Sequence, residues 1–280
     1  MFVVALVTPK TLNKWNKKEI IDYQSFYRLT DYLSLFFDNF LFLGFTGEFY
    51  NLSLEEAEGI IKFAEEFKFR KKDKKIIINV TRKNFEETMK LIEKSDFSDF
   101  LMIIFPYNDI SYEDGIRIIK KTKKKFIFYY SKLITDLTNE KLEEIIKQEN
   151  VIGIKDSIFD NSLYQEKIKL VEKYNKKYFC GIDKIWLNEF KNGKNLDLIS
   201  GTLNFIPHLW KKGEYSKIEK IVNKIEEIEK YIPFPHIAKY CLSVSPPFYP
   251  LINENLKFNE EQIKKLKELE ELYKEIIYKK

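Results

Sequence analysis

Short apolar segments alternate with longer amphipathic segments along most of the 280-residue chain. The apolar segments have the length of β-strands, and in the segments between them apolar residues recur at helical spacing. Repetition of strand and helix predicts a parallel sheet, because parallel neighbours need a crossover connection. The predicted strands occupy residues 2–7, 40–44, 76–80, 100–105, 126–130, 151–155, 178–181 and 196–201.

The predicted helices complete a repeating unit. The sequence SLEE at 53–56 has the pattern of a capping box and predicts a helix that begins at Ser53. The other helices are predicted within 17–37 and at 84–94, 112–123, 137–148, 162–174, 184–191 and 207–229. Eight strand–helix units in about 230 residues predict a (β/α)8 TIM barrel. A doubly wound open sheet is the alternative, but the segment ALVTPKTLN lacks the glycine-rich turn that usually follows its first strand.

The last part of the chain has helical patterns and no strand pattern. Two helical segments in residues 234–280 are separated by the sequence SVSPPFYPLIN. We therefore expect a barrel over residues 1–233 and a C-terminal helical extension over residues 234–280 that packs on the barrel. The sequence shows no linker between the two.

Composition excludes several classes of function. Hydrophobic residues make up 44% of the chain, which is enough for a large core. The net charge of +5 comes from 48 basic and 43 acidic residues dispersed as mixed helix faces, a pattern that disfavours nucleic-acid binding. The first apolar run is too short for a secretory signal, and no run approaches the roughly 20 residues that cross a bilayer. We expect a soluble cytoplasmic protein that does not bind membranes. The two Cys and two His residues show no metal-ligand spacing, so no metal site is predicted.

One lysine and several hydroxyl-bearing residues follow the ends of predicted strands, where TIM barrels carry their chemistry. Lys155 ends the apolar strand 151–155. Low-dielectric surroundings favour the neutral form of an amine, and a neutral amine adds to a ketone to form a Schiff base. From the residues alone, the alternative is that Lys155 is a surface charge, which is the more common role of a lysine at the end of a strand. Tyr129 and Tyr130 can be packing residues, and only one of them can face the barrel interior because strand side chains alternate.

The segment GFTGE at residues 44–48 also has two interpretations. It can bind a substrate through its backbone, or it can be a simple turn in which Thr46 caps the backbone and Glu48 is solvated. The other hydroxyls and carboxyls at predicted strand ends include those of Ser157, Asp183 and Thr202.

The motifs at these strand ends, taken in order, resemble those of the pyruvate-dependent class I aldolase family. This family includes dihydrodipicolinate synthase, N-acetylneuraminate lyase and archaeal 2-keto-3-deoxygluconate aldolase. The segment SPPFYPL at 245–251 is most similar to the archaeal sugar-acid aldolases. The motifs that carry the resemblance are ALVTP at 5–9, GFTGE at 44–48, PY at 106–107, FYY at 128–130, GIKDS at 153–157, GID at 181–183 and SGTLNFIP at 200–207.

The resemblance implies a role for each candidate residue. Lys155 would form the Schiff base with the substrate ketone, and Tyr129 would transfer protons as a general acid and base. Tyr130 would take that place if the strand were shifted by one residue. The backbone N–H groups and the hydroxyl of the Phe45-Thr46 turn would bind the substrate carboxylate. The candidate substrate-binding residues are thus Phe45, Thr46, Tyr130, Ser157, Asp183 and Thr202.

The activity that the resemblance implies is the reversible cleavage of 2-keto-3-deoxygluconate to pyruvate and glyceraldehyde. This is a carbon–carbon lyase reaction of Entner–Doudoroff carbohydrate metabolism that needs no cofactor. The family also implies a homotetramer. N-acetylneuraminate lyase and dihydrodipicolinate synthase are the enzyme alternatives. A non-catalytic barrel that binds a keto acid is the alternative from another class.

Three departures from the family pattern bear on the substrate. Phe45 replaces the usual Thr or Ser, so a proton relay through that side chain is missing. No Arg follows the strand 126–130, which disfavours the aspartate-semialdehyde substrate of dihydrodipicolinate synthases. The segment PYNDIS at 106–111 also lacks an Arg, which favours a non-phosphorylated sugar acid.

Overall fold

The structure, a computed structural model, describes residues 1–12, 18–131, 135, 137–157, 161–244 and 257–278. The strands are β1 (Phe2–Ala5), β2 (Lys10–Leu12), β3 (Glu19–Ile21), β4 (Asn39–Phe42), β5 (Lys75–Asn79), β6 (Phe100–Ile103), β7 (Phe126–Tyr130), β8 (Val151–Asp156), β9 (Lys177–Cys180) and β10 (Asp197–Ser200). The helices are α1 (Tyr23–Leu33), α2 (Leu54–Arg70), α3 (Phe85–Lys94), α4 (Tyr112–Lys121), α5 (Asn139–Ile146), α6 (Asn161–Lys173), α7 (Asp183–Lys191), α8 (Pro207–Lys212), α9 (Tyr215–Glu229), α10 (Phe234–Val244) and α11 (Glu260–Tyr278).

Eight strands close a barrel in the order β1-β10-β9-β8-β7-β6-β5-β4. The pairs from β4 to β10 are parallel, and helices alternate with these strands along the chain. The predicted (β/α)8 TIM barrel is therefore confirmed. The predicted capping box is confirmed as well, because Ser53 Oγ accepts the Glu56 N–H at 3.1 Å and Glu56 Oε2 accepts the Ser53 N–H at 2.8 Å.

The structure adds two local features that the pattern did not predict. Strands β2 and β3 form a separate antiparallel sheet, and each has only three residues, too few to show a two-residue period. The single helix predicted over 207–229 is divided into α8 and α9. Gly213 ends α8 with a φ of 69°, a left-handed conformation in which glycine is favoured.

The side chains of neighbouring strands β7 and β8 are aligned by an irregularity in their pairing. Phe126 pairs with Val151, but the next residue, Ile127, pairs with Gly153, so β8 contains one extra residue at this point. Beyond this β-bulge, Tyr129 pairs with Lys155 and Tyr130 pairs with Asp156. Without the extra residue, Lys155 would be opposite Tyr130.

The chain divides into two compact units. The first comprises Met1–Val3, Asp38–Gly44 and Phe49–Ser200 and contains β4–β10 and α2–α7. The second comprises Val4–Phe37, Phe45–Glu48 and Gly201–Lys280 and contains β2, β3, α1 and α8–α11. Within the second unit, buried Leu266, Leu269 and Tyr273 of α11 contribute to the core, and the Tyr273 hydroxyl donates to the Phe205 carbonyl at 3.2 Å. The predicted boundary between residues 233 and 234 stays a prediction.

Candidate active site

Lys155 is a buried lysine of the first unit. It lies near the C-terminal end of β8, and only 5% of the residue is exposed. Its Nζ atom is 4.1 Å from the centroid of the Tyr129 ring. Among the described residues, no carboxylate lies within ion-pair distance of this amine and no group forms a hydrogen bond with it. A buried lysine without a carboxylate partner is costly as a structural element, so a chemical role is favoured over a surface charge.

The neighbouring Asp156 has partners on the other face of β8. Its carboxylate accepts a hydrogen bond from the Tyr178 hydroxyl at 2.9 Å, and Lys167 Nζ of α6 is 3.8 Å away. Burial and the negative charge of Asp156 both raise the pKa of the Tyr178 phenol above its usual value. Since α6 covers the outside of the barrel and strand side chains alternate, Lys155 faces the barrel interior. Asp156 is thus directed away from the Lys155 amine.

The two tyrosines of β7 are separated by the same alternation. Tyr129 shares the face of Lys155, whereas the ring of Tyr130 lies 4.7 Å from Lys167 Nζ, on the face of Asp156. The Tyr129 hydroxyl forms no hydrogen bond within the described part of the chain, so it can donate to or accept from a substrate. The geometry therefore favours Tyr129 over Tyr130 as the acid–base group.

The side chains of Ser157 and Lys155 both lie close to Gly181, and therefore near each other. The Gly181 N–H donates to the Asp156 carbonyl at 2.7 Å. A β-carbon at position 181 would lie 2.3 Å from Ser157 Oγ and 3.1 Å from Lys155 Cε. Asp183 begins α7, where an acidic side chain also stabilises the N-terminal end of the helix dipole.

The remaining predicted residues belong to the second unit, where they form a cluster of their own. The Glu48 N–H donates to the Phe45 carbonyl at 2.8 Å and closes the turn 45–48. Thr46 is only 7% exposed, yet among the described residues neither its N–H nor its hydroxyl has a hydrogen-bond partner. A β-carbon at Gly201 would lie 2.9 Å from Thr46 Oγ1, so Thr46 is close to the segment that begins at Gly201. The neighbouring Thr202 hydroxyl accepts from Trp210 Nε1 at 3.1 Å.

Glu48 is a residue whose environment the sequence did not predict. The interpretation of this segment as a simple turn with a solvated Glu48 is wrong, because Glu48 is buried and paired with Lys239 and with His236 Nε2, the latter at 3.5 Å. Burial alone would raise the pKa of this carboxyl, but the hydrogen bond with His236 and the positive charge of Lys239 outweigh it and lower the pKa to about 2. No local pattern could identify this pairing, since Lys239 is 191 residues away in sequence.

The arginines of the chain either contact groups outside the candidate site or are exposed on helices. Buried Arg82 donates to the carbonyls of Phe49 and Leu52 at 3.0 and 2.6 Å. Arg117 pairs with Asp114 in α4, and Arg28 and Arg70 are exposed on α1 and α2. The chain has no other arginine. A substrate phosphate or second carboxylate therefore finds no arginine among the candidate site residues.

Other kinds of site are not found in the described part of the chain. Its residues include no group of three or more His, Cys, Asp or Glu side chains arranged to hold a metal ion. None of their helices combines the length and the apolar character needed to cross a membrane.

A (β/α)8 barrel in which a buried lysine lies beside a tyrosine, with no carboxylate partner among the described residues, defines a candidate Schiff-base enzyme. The chain belongs to the dihydrodipicolinate synthetase family, whose model matches residues 2–242. It is 26% identical to the 4-hydroxy-tetrahydrodipicolinate synthase of Hydrogenobaculum sp. (strain Y04AAS1), over 94% of this chain and 96% of the relative. This family consists of class I pyruvate-dependent aldolases and lyases, which places the chain among carbon–carbon lyases.

Solved structures of the family have the same fold. The N-acetylneuraminate lyase of Mycoplasma synoviae is 18% identical with a TM-score of 0.73, and the match covers 97% of each chain. The dihydrodipicolinate synthase of Bacillus clausii is 17% identical with a TM-score of 0.79, covering 98% of this chain and 97% of that one. The special similarity to archaeal sugar-acid aldolases is not confirmed, and the segment 245–251 that suggested it lies outside the described residues.

We expect Gly181→Ala to slow formation of a covalent pyruvate adduct about tenfold or more, because the new methyl group displaces Ser157 and Lys155 from their positions. The rate is measured by borohydride trapping followed by mass spectrometry. Gly193→Ala is the control: its φ of 80° makes a side chain strained by about 1 kcal/mol, yet its β-carbon would meet no atom within 4 Å. Equal trapping rates in the two variants would contradict the prediction.

Tyr129→Phe is expected to lower kcat by about a hundredfold or more, the usual effect of removing a general acid–base group. Tyr130→Phe, the matched control from the other face of β7, is expected to reduce kcat far less. Steady-state kinetics of both variants at saturating substrate test this difference. A larger loss in the Tyr130 variant would show that the acid–base group has been assigned to the wrong face of the strand.

Proposed function

We propose that this chain is a Schiff-base aldolase that cleaves a 2-keto-3-deoxy sugar acid reversibly to pyruvate and an aldehyde, with 2-keto-3-deoxygluconate as the substrate. The observation that supports it most directly is the buried Lys155 amine, which lies 4.1 Å from the centroid of the Tyr129 ring and has no carboxylate partner in the described part of the chain. Membership of a pyruvate-dependent family supports the reaction class.

In the proposed mechanism, the neutral Lys155 amine adds to the C2 carbonyl of the sugar acid, and loss of water gives a protonated imine. Tyr129 removes the proton of the C4 hydroxyl as the C3–C4 bond breaks, and the electron pair of that bond passes to the imine and forms an enamine. The aldehyde leaves, the enamine is protonated at C3, and hydrolysis releases pyruvate and restores the amine. Condensation is the same sequence in reverse.

The substrate carboxylate is proposed to bind the turn at Phe45 and Thr46. The family resemblance suggests this role, and the absence of partners for the Thr46 N–H and hydroxyl among the described residues supports it. Phe45 has no hydroxyl, so the proton on Tyr129 passes to the substrate or to water without a side-chain relay at that position. Ser157, Asp183 and Thr202 are proposed to contact substrate hydroxyls, whereas Tyr130 is left out of the proposed set.

The aldehyde that reacts with pyruvate distinguishes two activities of the family. The commitment of Arg82 to backbone carbonyls and the lack of other arginines among the candidate residues favour a neutral aldehyde such as glyceraldehyde, because a second carboxylate or a phosphate is best paired by a guanidinium. A 4-hydroxy-tetrahydrodipicolinate synthase activity, which condenses pyruvate with aspartate semialdehyde, is the second candidate and is favoured by the curated relative. A homotetramer, which the family resemblance implies, and a cytoplasmic location, which the hydrophobic pattern of the sequence suggested, stay predictions.

Incubation with pyruvate followed by borohydride reduction is expected to add the mass of a reduced pyruvate imine to Lys155, because the amine of a buried lysine can add to a ketone and form a Schiff base. Peptide mapping locates the added mass, and Lys155→Ala serves as the control that abolishes it. An adduct on another lysine, such as Lys184, would show that this other lysine is the nucleophile. No adduct at all would favour the non-catalytic barrel or a protein without pyruvate chemistry.

The acceptor is identified by comparing kcat/KM for three substrates under the same conditions. We expect 2-keto-3-deoxygluconate to be cleaved with the highest kcat/KM and its 6-phosphate with a clearly lower one, because no arginine is available to pair with the phosphate. Condensation of pyruvate with aspartate semialdehyde is expected to be slower still. A preference for aspartate semialdehyde would establish the second candidate, and equal use of the phosphorylated sugar acid would contradict the argument from arginine.

A further inference from the structure

We propose that the cluster in which the Glu48 carboxylate contacts Lys239 and His236 is a positioning device that sets the geometry of the turn 45–48 for binding the substrate carboxylate. The inference rests on the proposed function and adds to it three residues that do not themselves touch the substrate. All three lie in the second unit, as does the turn.

Each carboxylate oxygen of Glu48 has its own partner. Oε2 is paired with Lys239 Nζ, and Oε1 is 3.5 Å from His236 Nε2. Both partners belong to α10, so the end of the turn is tied at two points to one helix. Lys239 and Glu48 are almost completely buried, whereas His236 is partly exposed. Two contacts to a planar carboxylate fix its orientation as well as its position.

Two features of Glu48, its backbone conformation and its buried charge, are unfavourable for the stability of the fold. Its φ of 55° lies in the left-handed region, which costs a non-glycine residue about 1 kcal/mol or more. Its charge is also buried, and a buried ion pair often contributes little or nothing net to stability compared with apolar residues. Glycine would relieve the backbone cost, and an apolar pair would avoid the buried charges. A residue that combines both costs is better explained by the geometry it enforces.

The geometry that Glu48 enforces is that of the residues just before it. The hydrogen bond from the Glu48 N–H to the Phe45 carbonyl closes the turn. Between these two residues lies Thr46, buried, without a hydrogen-bond partner for its N–H or hydroxyl among the described residues, and close to Gly201. A shift of Glu48 therefore moves the donors that are proposed to bind the carboxylate.

The experiment measures pyruvate binding separately from turnover. Borohydride trapping over a series of pyruvate concentrations gives the half-saturating concentration and the maximal labelled fraction for wild type, Glu48→Gln, Lys239→Met and the double variant. We expect the half-saturating concentration to rise about tenfold in each variant while the maximal fraction stays near that of wild type, because the turn and not Lys155 is displaced. Lys239→Arg is expected to restore most of the affinity, since it keeps the charge.

Glu189→Gln is the matched control for a general loss of stability. Glu189 is also buried and charge-paired, with Lys194 Nζ at 2.7 Å and the Tyr164 hydroxyl at 2.6 Å, but it belongs to α7 in the first unit. Its substitution is expected to lower the thermal midpoint by a similar amount and to leave the half-saturating concentration unchanged. The double variant leaves no unpaired buried charge, so it is the form expected to fold if a single variant does not.

The outcomes separate this inference from the function on which it rests. Unchanged half-saturation in the folded variants, or an equal rise in Glu189→Gln, would overturn the positioning role while the proposed function stands. A wild-type protein that traps no pyruvate would overturn the proposed function and this inference with it. Loss of the maximal labelled fraction without a change in half-saturation would assign Glu48 to the covalent step and would also contradict the inference.

Discussion

The pairing of β7 with β8 is the constraint on which the candidate site around Lys155 depends. One extra residue at Ile152 shifts the register, so that Lys155 comes opposite Tyr129 and Asp156 comes opposite Tyr130. β-bulges are frequent next to active sites, where an extra residue changes which side chain of the strand faces a given neighbour. Gly153, directly after the bulge, has no side chain to collide with the Lys177 carbonyl of β9, which would lie 2.2 Å from a β-carbon. The register is therefore stabilised by the close approach of the next strand.

Two buried carboxylates of the described residues, those of Asp156 and Glu48, each have a lysine partner and one further polar partner. Asp156 has Lys167 and Tyr178 on the outer face of β8, and Glu48 has Lys239 and His236 in the second unit. Lys155 has no such carboxylate within the described residues. This distribution matters because a carboxylate beside Lys155 would favour the charged amine, which is not nucleophilic. The proposed chemistry therefore depends on Lys155 having no buried ion pair, whereas Asp156 and Glu48 each have one.

The departures from the family pattern bear on the proposed chemistry in two ways. Phe45 removes a hydroxyl but leaves the backbone of its turn intact, and oriented N–H groups bind an anion without help from a side chain. The scarcity of arginine has the opposite effect, since it removes a group that a second carboxylate or a phosphate would need. Together these features favour a small, uncharged aldehyde as the partner of pyruvate. Fold similarity at identities near 18% does not decide that point, because one barrel supports many reactions.

The sequence by itself determined the repeating strand–helix order, and hence the barrel, because hydrophobic periodicity is a local property that each segment carries alone. It also placed Lys155, Tyr129 and Thr46 at strand ends, since the ends of apolar runs are visible in one dimension. Only the tertiary structure decided which tyrosine shares a face with Lys155, because that choice depends on a bulge in β8 rather than on the sequence of β7. Only the tertiary structure revealed that Glu48 is buried against Lys239, since an ion pair across 191 residues leaves no pattern near either partner. Local periodicity fixes elements, whereas the pairing of charges and faces is set when distant segments pack together.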